Sequence, residues 1–201
     1  MSARVVGDVS GLPTYGFGPK TLIWWGTVGF MLIEGTGFAL ACGAYFYLMG
    51  RVPHWPPASP PPKLIWGTLF TVVLLLSEIP NVWLNRKAHA MQLQACKVGL
   101  VVIIVFGAVL LALRGLEFTT LNERWDHNAY GSIIWTLVFL HATHVATDWY
   151  DTDVLAAAVF THKVDGRRFS DISDNAMYWH FVVATWLPIY VLVYWVPRWV
   201  G

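Results

Sequence analysis

Charged residues are scarce in this chain of 201 residues, where Asp, Glu, Lys and Arg together make up 12% of the sequence. That share is roughly half of what an ordinary soluble domain carries, whereas 56% of the residues are hydrophobic. The net charge of +1 comes without the clustered basic surface that neutralises nucleic-acid phosphates. The composition therefore indicates a membrane protein and argues against a nucleic-acid partner.

Cysteines and catalytic motifs are also few. The two cysteines, Cys42 and Cys96, lie within or beside apolar runs and do not form the disulfide framework that small secreted domains use. There is no Gly-rich phosphate loop, Ser-His-Asp order or paired-cysteine motif, so a soluble-type hydrolase or nucleotide site has no support. The N-terminus lacks a signal-peptide pattern, so the first apolar run is expected to stay in the mature protein.

Five apolar runs approach or exceed the length of about 20 residues that crosses a bilayer as a helix. The third is short, with 16 residues between Lys97 and Arg114, whose long side chains are expected to snorkel to the two interfaces. Pro80 predicts that the second helix kinks or ends nearby. The sequence predicts an all-α membrane protein, a single domain over residues 1–201 that bundles five transmembrane helices at about 21–49, 64–84, 98–113, 129–160 and 176–196.

Lys and Arg in the connecting loops predict the orientation, because cytoplasmic loops carry an excess of these residues. The side that includes the N-terminus carries eight of them: Arg4, Lys20, Arg86, Lys87, Lys97, Lys163, Arg167 and Arg168. The other side carries five: Arg51, Lys63, Arg114, Arg124 and Arg198. This bias places the N-terminus in the cytoplasm and the C-terminus in the periplasm.

Two acids lie inside predicted spans. Glu34 follows Lys20 by about 14 residues, roughly 20 Å along a helix and well into the hydrocarbon, so it is expected to be protonated, paired or hydrated. One interpretation is a proton relay or an ion site, and the other is a neutral carboxyl that hydrogen-bonds a neighbouring helix or a lipid. Glu34 and Glu78 together would suit a proton-coupled carrier, but we see no inverted repeat of the kind that transporters often have.

The fourth apolar run carries a polar stripe. His141, His144 and Asp148 have i, i+3, i+7 spacing and therefore share one helix face, which must contact protein, water or headgroups. Imidazole suits haem iron, copper and zinc, although two residues on one face of a helix cannot flank one porphyrin. One hypothesis is a small b-type membrane cytochrome that uses His141, His144 and His180. The alternative is that these histidines hydrogen-bond between helices or to lipid headgroups without a metal.

Several short motifs follow one another along the chain. Glu34 precedes Gly43-Ala44-Tyr45-Phe46, then come Glu117-Phe118, Tyr130-Gly131-Ser132, His141-Ala142-Thr143-His144-Val145, and Tyr178-Trp179-His180-Phe181-Val182 with Trp186 and Tyr190. Taken together, these motifs resemble subunit III of the haem-copper cytochrome c oxidases over all five spans. The resemblance is to the shorter bacterial form, which lacks the first two helices of the seven-helix form.

This resemblance implies a non-catalytic accessory subunit of a respiratory haem-copper terminal oxidase in a bacterial inner membrane. Such a subunit would bind structural phospholipids but no haem or copper, and it would support proton uptake and turnover stability during oxygen reduction. Its implied partners are oxidase subunits I and II. Subunit I would carry haem and copper, and subunit II is a second candidate to carry copper. Cytochrome c or quinol would donate electrons, and a subunit III-like partner of a nitric-oxide reductase or quinol oxidase is the related alternative.

The candidate site residues follow from the spans, the polar stripe and the resemblance. Glu34 is the expected intramembrane acid. The residues expected to form a polar or lipid-contacting interior are His141, His144, Asp148, His180, Glu117, Tyr130 and Trp179. The sequence predicts neither a catalytic residue nor a metal ligand in this chain.

Overall fold

A computed structural model describes residues 22–57, 59–164 and 166–200. Over these ranges the backbone forms helices and loops without a strand: α1 (Leu22–Met49), α2 (Leu64–His89), α3 (Leu93–Phe118), α4 (Ala129–Thr161), α5 (Gly166–Tyr190), a π-helical segment (Val191–Trp195) and α6 (Val196–Val200). Five stretches of the described chain are long and apolar enough to span a membrane, the fifth running from Arg168 to Val200. The predicted all-α bundle of five membrane-spanning helices is confirmed.

Three helices are longer than hydropathy predicts. α2 continues through Pro80 to His89, because its packing against α3 and α5 holds the helix together although proline removes one backbone hydrogen bond. α3 has 26 residues, so it extends beyond the predicted run at both ends. The charged segment 161–174 predicts a loop, yet α5 already begins at Gly166. Hydropathy marks the part of a helix inside the hydrocarbon, so polar turns beyond that part escape it. The predicted start of the first span at residue 21 lies outside the described residues.

The helices pack around α4 and α5. α2 contacts α3 and α5, α3 contacts α4, and α1 contacts α4 and α5. The main core contains large aromatic side chains from α2, α5 and the π-helical segment, among them Phe70, Trp179, Trp186 and Tyr194. Within α1, only Phe38 and Tyr45 are buried. α1 therefore stands at the edge of the bundle and forms one wall of a cleft against α4 and α5.

The proline-rich loop between α1 and α2 closes one end of the bundle. Trp55 in this loop donates from Nε1 to the hydroxyl of Tyr45 at 2.8 Å. Its ring meets that of Tyr130 edge to face, with centroids 4.9 Å apart. Asn122, in the loop before α4, donates to the carbonyl of Pro61 at 2.8 Å. The contacts of these two loops thus fix the adjoining ends of α1 and α4 relative to each other.

Gly107 in α3 permits a close approach of α4. A Cβ atom at this position would lie 2.3 Å from Cδ1 of Trp149, whose indole Nε1 donates to the carbonyl of Ile104 at 3.0 Å. Small residues allow membrane helices to pack closely. Because the indole is tied to α3 by this hydrogen bond, Gly107→Ala is expected to destabilise the chain by about 1–3 kcal/mol, the usual cost of overpacking.

Gly115→Ala is the matched control for this prediction. Gly115 lies on the same helix, and a Cβ atom there meets nothing within 4 Å. Thermal unfolding of the two purified variants in the same detergent gives the comparison. Equal unfolding midpoints would contradict the close packing of α3 on α4 at Gly107.

Candidate functional site

A cleft of about 960 Å³ opens between α1, α4 and α5. Its apolar lining includes side chains from α1 and α4, namely Ile23, Phe30, Val154 and Leu155. Its polar lining includes five acids and one arginine, namely Glu34, Asp148, Asp151, Asp171, Asp174 and Arg168. The cleft therefore combines an apolar wall with a strongly acidic one.

Glu34 is bonded to both helices that face α1 across the cleft. Its Oε1 lies 3.1 Å from Nε2 of His144 on α4. Its Oε2 accepts a hydrogen bond from the hydroxyl of Tyr178 on α5 at 2.6 Å. The side chains of His144 and Glu34 are 10% and 14% exposed, so the pair borders the cleft but is largely shielded. This intramembrane acid therefore has one partner on α4 and one on α5.

The hydrogen bonds of His144 fix the position of its ring proton. Nδ1 lies 2.6 Å from the carbonyl oxygen of Leu140, and because a carbonyl only accepts, Nδ1 carries a hydrogen. Nε2 then either accepts from a protonated Glu34 or donates to its carboxylate. The Glu34–His144 pair has no net charge in either state, which suits its depth in the membrane.

Asp148 lies one helical turn beyond His144 and is also buried. Its Oδ1 accepts from Nδ2 of Asn175 at 3.1 Å, and the Thr152 hydroxyl donates to Oδ1 of Asn175 at 3.2 Å. Its Oδ2 is buried and has no hydrogen-bond partner among the described residues. A buried carboxylate oxygen without a partner is costly, so Asp148 is suited to hold a proton or to accept a hydrogen bond from a ligand in the cleft.

A second polar cluster, the Arg114 network, comprises Arg114, Glu117, His141 and Tyr194. The Arg114 guanidinium donates to Glu117 and, through Nη2, to Nδ1 of His141 at 2.8 Å. The Tyr194 hydroxyl donates to the other Glu117 oxygen at 2.5 Å. No member is more than 2% exposed. This is a buried ion pair with charge-assisted hydrogen bonds that joins α3, α4 and the π-helical segment.

The expectation that Arg114 snorkels to the interface is wrong. Its guanidinium turns inward, where it lies 3.6 Å from the ring centroid of Phe70 and 4.1 Å from that of Trp186. α3 continues past Arg114, which brings Glu117 into place as its counter-charge one turn later. The i, i+3 spacing of a basic and an acidic residue is the sequence signal that points to this pair.

The polar stripe of α4 is divided between the cleft and the Arg114 network. His144 and Asp148 border the cleft with Glu34. His141 instead accepts from Arg114 at Nδ1, so its Nε2 carries the hydrogen and donates to the carbonyl of Val182 at 3.0 Å. The predicted stripe thus serves two clusters rather than one.

The remaining predicted residues belong to neither cluster. Trp179 is buried and donates from Nε1 to the Ser77 hydroxyl at 2.9 Å. Tyr130 is buried against Trp55, and its hydroxyl has no partner among the described residues. His180 pairs with Glu78 between α5 and α2. Sequence reasoning did not select four residues that complete the clusters: Arg114, Asn175, Tyr178 and Tyr194.

The loop before α4 positions this helix. Asn128 caps its first turn, with Oδ1 accepting from the backbone N–H of Gly131 at 2.8 Å. The indole of Trp135 donates to the carbonyl of Glu123 at 2.7 Å. The Ser59 hydroxyl, and then His127, lower the pKa of Glu123, so this carboxylate stays charged at the membrane surface. The cap and the indole bond together fix the start of the helix that carries His141, His144 and Asp148.

Five spanning helices with ionisable side chains paired inside the bundle define a multi-pass α-helical membrane protein. The family model of cytochrome c oxidase subunit III matches residues 53–198. This match covers more than half of the chain and includes four of its five spanning stretches. The chain therefore belongs to the cytochrome c oxidase subunit III family.

Three relatives illustrate the similarity. The cytochrome c oxidase subunit 3 of Rhizopus stolonifer is 27% identical over 143 residues, covering 71% of this chain and 51% of the relative. That of Ornithorhynchus anatinus is 28% identical over 145 residues, covering 70% and 55%. That of Artemia franciscana is 25% identical over 189 residues, covering 90% and 70%. The chain thus spans about half the length of the first two relatives.

Proposed function

We propose that this chain is the non-catalytic subunit III of a respiratory haem-copper terminal oxidase in a bacterial inner membrane. It packs against subunit I, beside subunit II, and those subunits hold the haem and copper that reduce oxygen with electrons from cytochrome c or quinol. The observation that carries the proposal is the cleft, where the neutral Glu34–His144 pair joins α1 to α4 beside an apolar wall. This arrangement suits lipid binding and helix assembly better than chemistry on a substrate.

A structural phospholipid fits the two kinds of lining in the cleft. Ile23, Phe30 and Val154 offer an apolar wall for an acyl chain. Arg168, near the start of α5, lines the cleft with its Nη1 3.5 Å from Oδ2 of Asp171, and it is the cation that a phosphate would contact there. The lipid would then fill the space between α1 and the rest of the bundle and hold α1 in place.

The same cleft supports a role in proton uptake. Glu34 and His144 share one proton, and Asp148 has a carboxyl oxygen without a partner among the described residues. Asp171 and Asp174 lie further toward the start of α5. Chains of acids and histidines within membranes commonly relay protons, and this one would deliver them to a neighbouring subunit rather than to a centre of its own.

The histidine hydrogen bonds favour this function over a b-type cytochrome. His141 uses both ring nitrogens, toward Arg114 and Val182. His144 also uses both, toward Leu140 and Glu34. Haem ligation by either histidine would break a buried hydrogen bond and leave its partner unsatisfied. The isolated chain is expected to give no stoichiometric Soret band, whereas a band that survives removal of every other subunit would support the cytochrome.

Affinity purification of the full chain from native membranes tests the proposed function. We expect the chain to co-purify with a haem-containing subunit in a complex that reduces oxygen. A complex that reduces nitric oxide instead would identify the related alternative. Recovery of the chain without any haem protein, under detergent conditions that preserve other respiratory complexes, would contradict the proposal.

The orientation is a separate prediction. With Arg114 inside the bundle, the bias of eight against five basic residues becomes eight against four, so the N-terminus is expected in the cytoplasm. Single cysteines at Ser2 and Gly201, which both lie outside the described residues, test it in a chain where Cys42 and Cys96 are replaced by alanine. An impermeant thiol reagent added to intact cells should label Gly201→Cys alone, and labelling of Ser2→Cys would reverse the orientation.

A further inference from the structure

A line of polar contacts, which we call the α2–α5 seam, runs between these two helices along the membrane-spanning length. It consists of three hydrogen-bonded pairs: Thr68 with Tyr190 (2.8 Å), Glu78 with His180 (2.5 Å) and Asn85 with Ser173 (2.9 Å). The cleft described above lies between α1, α4 and α5 and has no lining residue from α2. The seam is therefore a separate polar feature.

The central pair of the seam is partly exposed at mid-membrane depth. Glu78 lies 11 residues before the end of α2 at His89, roughly 16 Å along the helix. His180 lies 14 residues after the start of α5 at Gly166, roughly 21 Å along it. Their side chains are 23% and 39% exposed. Ionisable groups at such depth face protein or water rather than acyl chains, so an uncovered pair here calls for a partner.

The pair also has hydrogen-bonding capacity that the described residues do not meet. Oε1 of Glu78 is buried and has no partner among them. Both hydrogen bonds of the His180 ring use Nδ1, toward Glu78 and Asn81, which leaves Nε2 without a partner in the described part of the chain. The carboxyl oxygen is buried, so the ring nitrogen of His180, whose side chain is 39% exposed, is the acceptor that a neighbouring molecule can reach.

A proline in α5 adds an acceptor near the same level. Pro80 and Pro188 lie inside α2 and α5, and neither has the N–H group that would bond the carbonyl four residues earlier. Those carbonyls belong to Leu76 and Ala184. Ala184 is exposed and shares the helix face of His180, whereas Leu76 is two residues from Glu78 and therefore lies on the opposite side of α2. The seam therefore presents acceptors at Nε2 of His180 and at the Ala184 carbonyl, and its natural complement is a donor.

The outward face of α3 differs sharply from the seam. From Val98 to Leu116 its exposed large side chains are all apolar, namely Val98, Val101, Val105, Val109 and Leu116, and the exposed Gln94 lies in the first turn. Acyl chains solvate such a face without loss of hydrogen bonds, because no polar group has to leave water. Lipid is therefore a suitable neighbour for α3 and an unsuitable one for the centre of the seam.

We propose that the α2–α5 seam is the surface on which a transmembrane helix of another oxidase subunit packs, and that this helix presents hydroxyl or amide donors at the level of Glu78 and His180. The inference rests on the proposed function, because it takes the partner from the same complex. It adds which face of this chain the partner helix covers and which hydrogen-bonding groups that helix presents there.

Photocrosslinking in the assembled complex tests the seam. Ala184 is exposed, small and one turn beyond His180 on the same face, so Ala184→p-benzoylphenylalanine places a probe beside the pair. Val105→p-benzoylphenylalanine on α3 is the matched control at mid-helix. After irradiation of native membranes, the Ala184 probe is expected to give a several-fold higher yield of adduct with another oxidase subunit. The crosslinked peptide should be a membrane span with Ser, Thr, Asn or Gln within one turn.

The other outcomes overturn the proposal. Adducts of the Ala184 probe with lipid alone, with a second copy of this chain, or with residues 1–21 of the same chain would each name a different occupant of the seam. Equal adduct yields from the Ala184 and Val105 probes would show that the contact at the seam is not specific. Leu187, exposed on the same face one turn further, replaces Ala184 if that variant does not accumulate.

Co-purification is scored on the same membranes to separate the two proposals. A complex that assembles but gives no adduct with another oxidase subunit at the seam rejects the docking surface and leaves the proposed function in place. A chain that co-purifies with no oxidase subunit rejects both.

Discussion

Arg114→Met is expected to destabilise the chain by about 3–5 kcal/mol, the range found when one partner of a buried ion pair is removed. Methionine fills much of the same space but has no charge and no donor. Glu117 would then keep only the Tyr194 hydroxyl, and Nδ1 of His141 would lose its donor. Phe70 and Trp186 would also lose the cation that lies over their rings.

Unfolding of the purified variant in detergent measures this effect, with Arg124→Met as the control. Arg124 pairs with Asp126 at 2.9 Å, but its side chain is 79% exposed, and exposed pairs contribute little to stability. The double variant Arg114→Met/Glu117→Gln removes both charges and is expected to recover part of the loss. Equal stability of the two single variants would contradict a structural role for the Arg114 network.

Glu34→Lys is expected to prevent the chain from accumulating in an assembled complex. A lysine at this depth brings a charge whose insertion costs roughly 2.5–3.5 kcal/mol near a helix centre. It also offers no acceptor to the Tyr178 hydroxyl, which now donates to Glu34. The fraction of haem-containing complex that retains the chain after purification is the measurement.

Glu34→Gln is the informative counterpart of this variant. Its amide N–H can donate to Nε2 of a neutral His144 while its carbonyl accepts from Tyr178, so both contacts of Glu34 are reproduced. Assembly and the first turnovers of oxygen reduction are therefore expected to persist. Loss of those first turnovers in a fully assembled, fully haem-loaded complex would make the carboxyl an obligatory proton carrier and refute the accessory role.

Hydropathy was sufficient to predict the number and type of the helices but not their ends. The polar first turns of α5 from Gly166 and the last turns of α2 to His89 lie beyond the apolar runs, so they carry no hydrophobic signal. Of the two outcomes predicted at Pro80, a kink or a nearby end, α2 does not show the end, because neighbouring helices stabilise it on both sides of the proline. Tertiary packing decides these ends.

The candidate site was partly predictable. The depth of Glu34 and the spacing of His144 and Asp148 follow from the chain itself, and these three residues do share the cleft. Their partners Tyr178 and Asn175 come from α5, and a single sequence does not show how that helix is rotated against α4.

Arg114 was misplaced for a different reason. A basic residue at the end of an apolar run has the same appearance whether it reaches out to headgroups or turns inward to a buried acid. The choice depends on whether α3 continues to Glu117, which hydropathy does not reveal.

Under the proposed function, this chain supports oxygen reduction without performing it. Oxygen consumption over successive turnovers, compared between the complete complex and one depleted of the chain, tests this most directly. The depleted complex is expected to keep its haem and its initial activity but to inactivate after fewer turnovers, and adding back the chain with phospholipid should restore its durability. A depleted complex that retains its haem yet reduces no oxygen from the first turnover would contradict the claim.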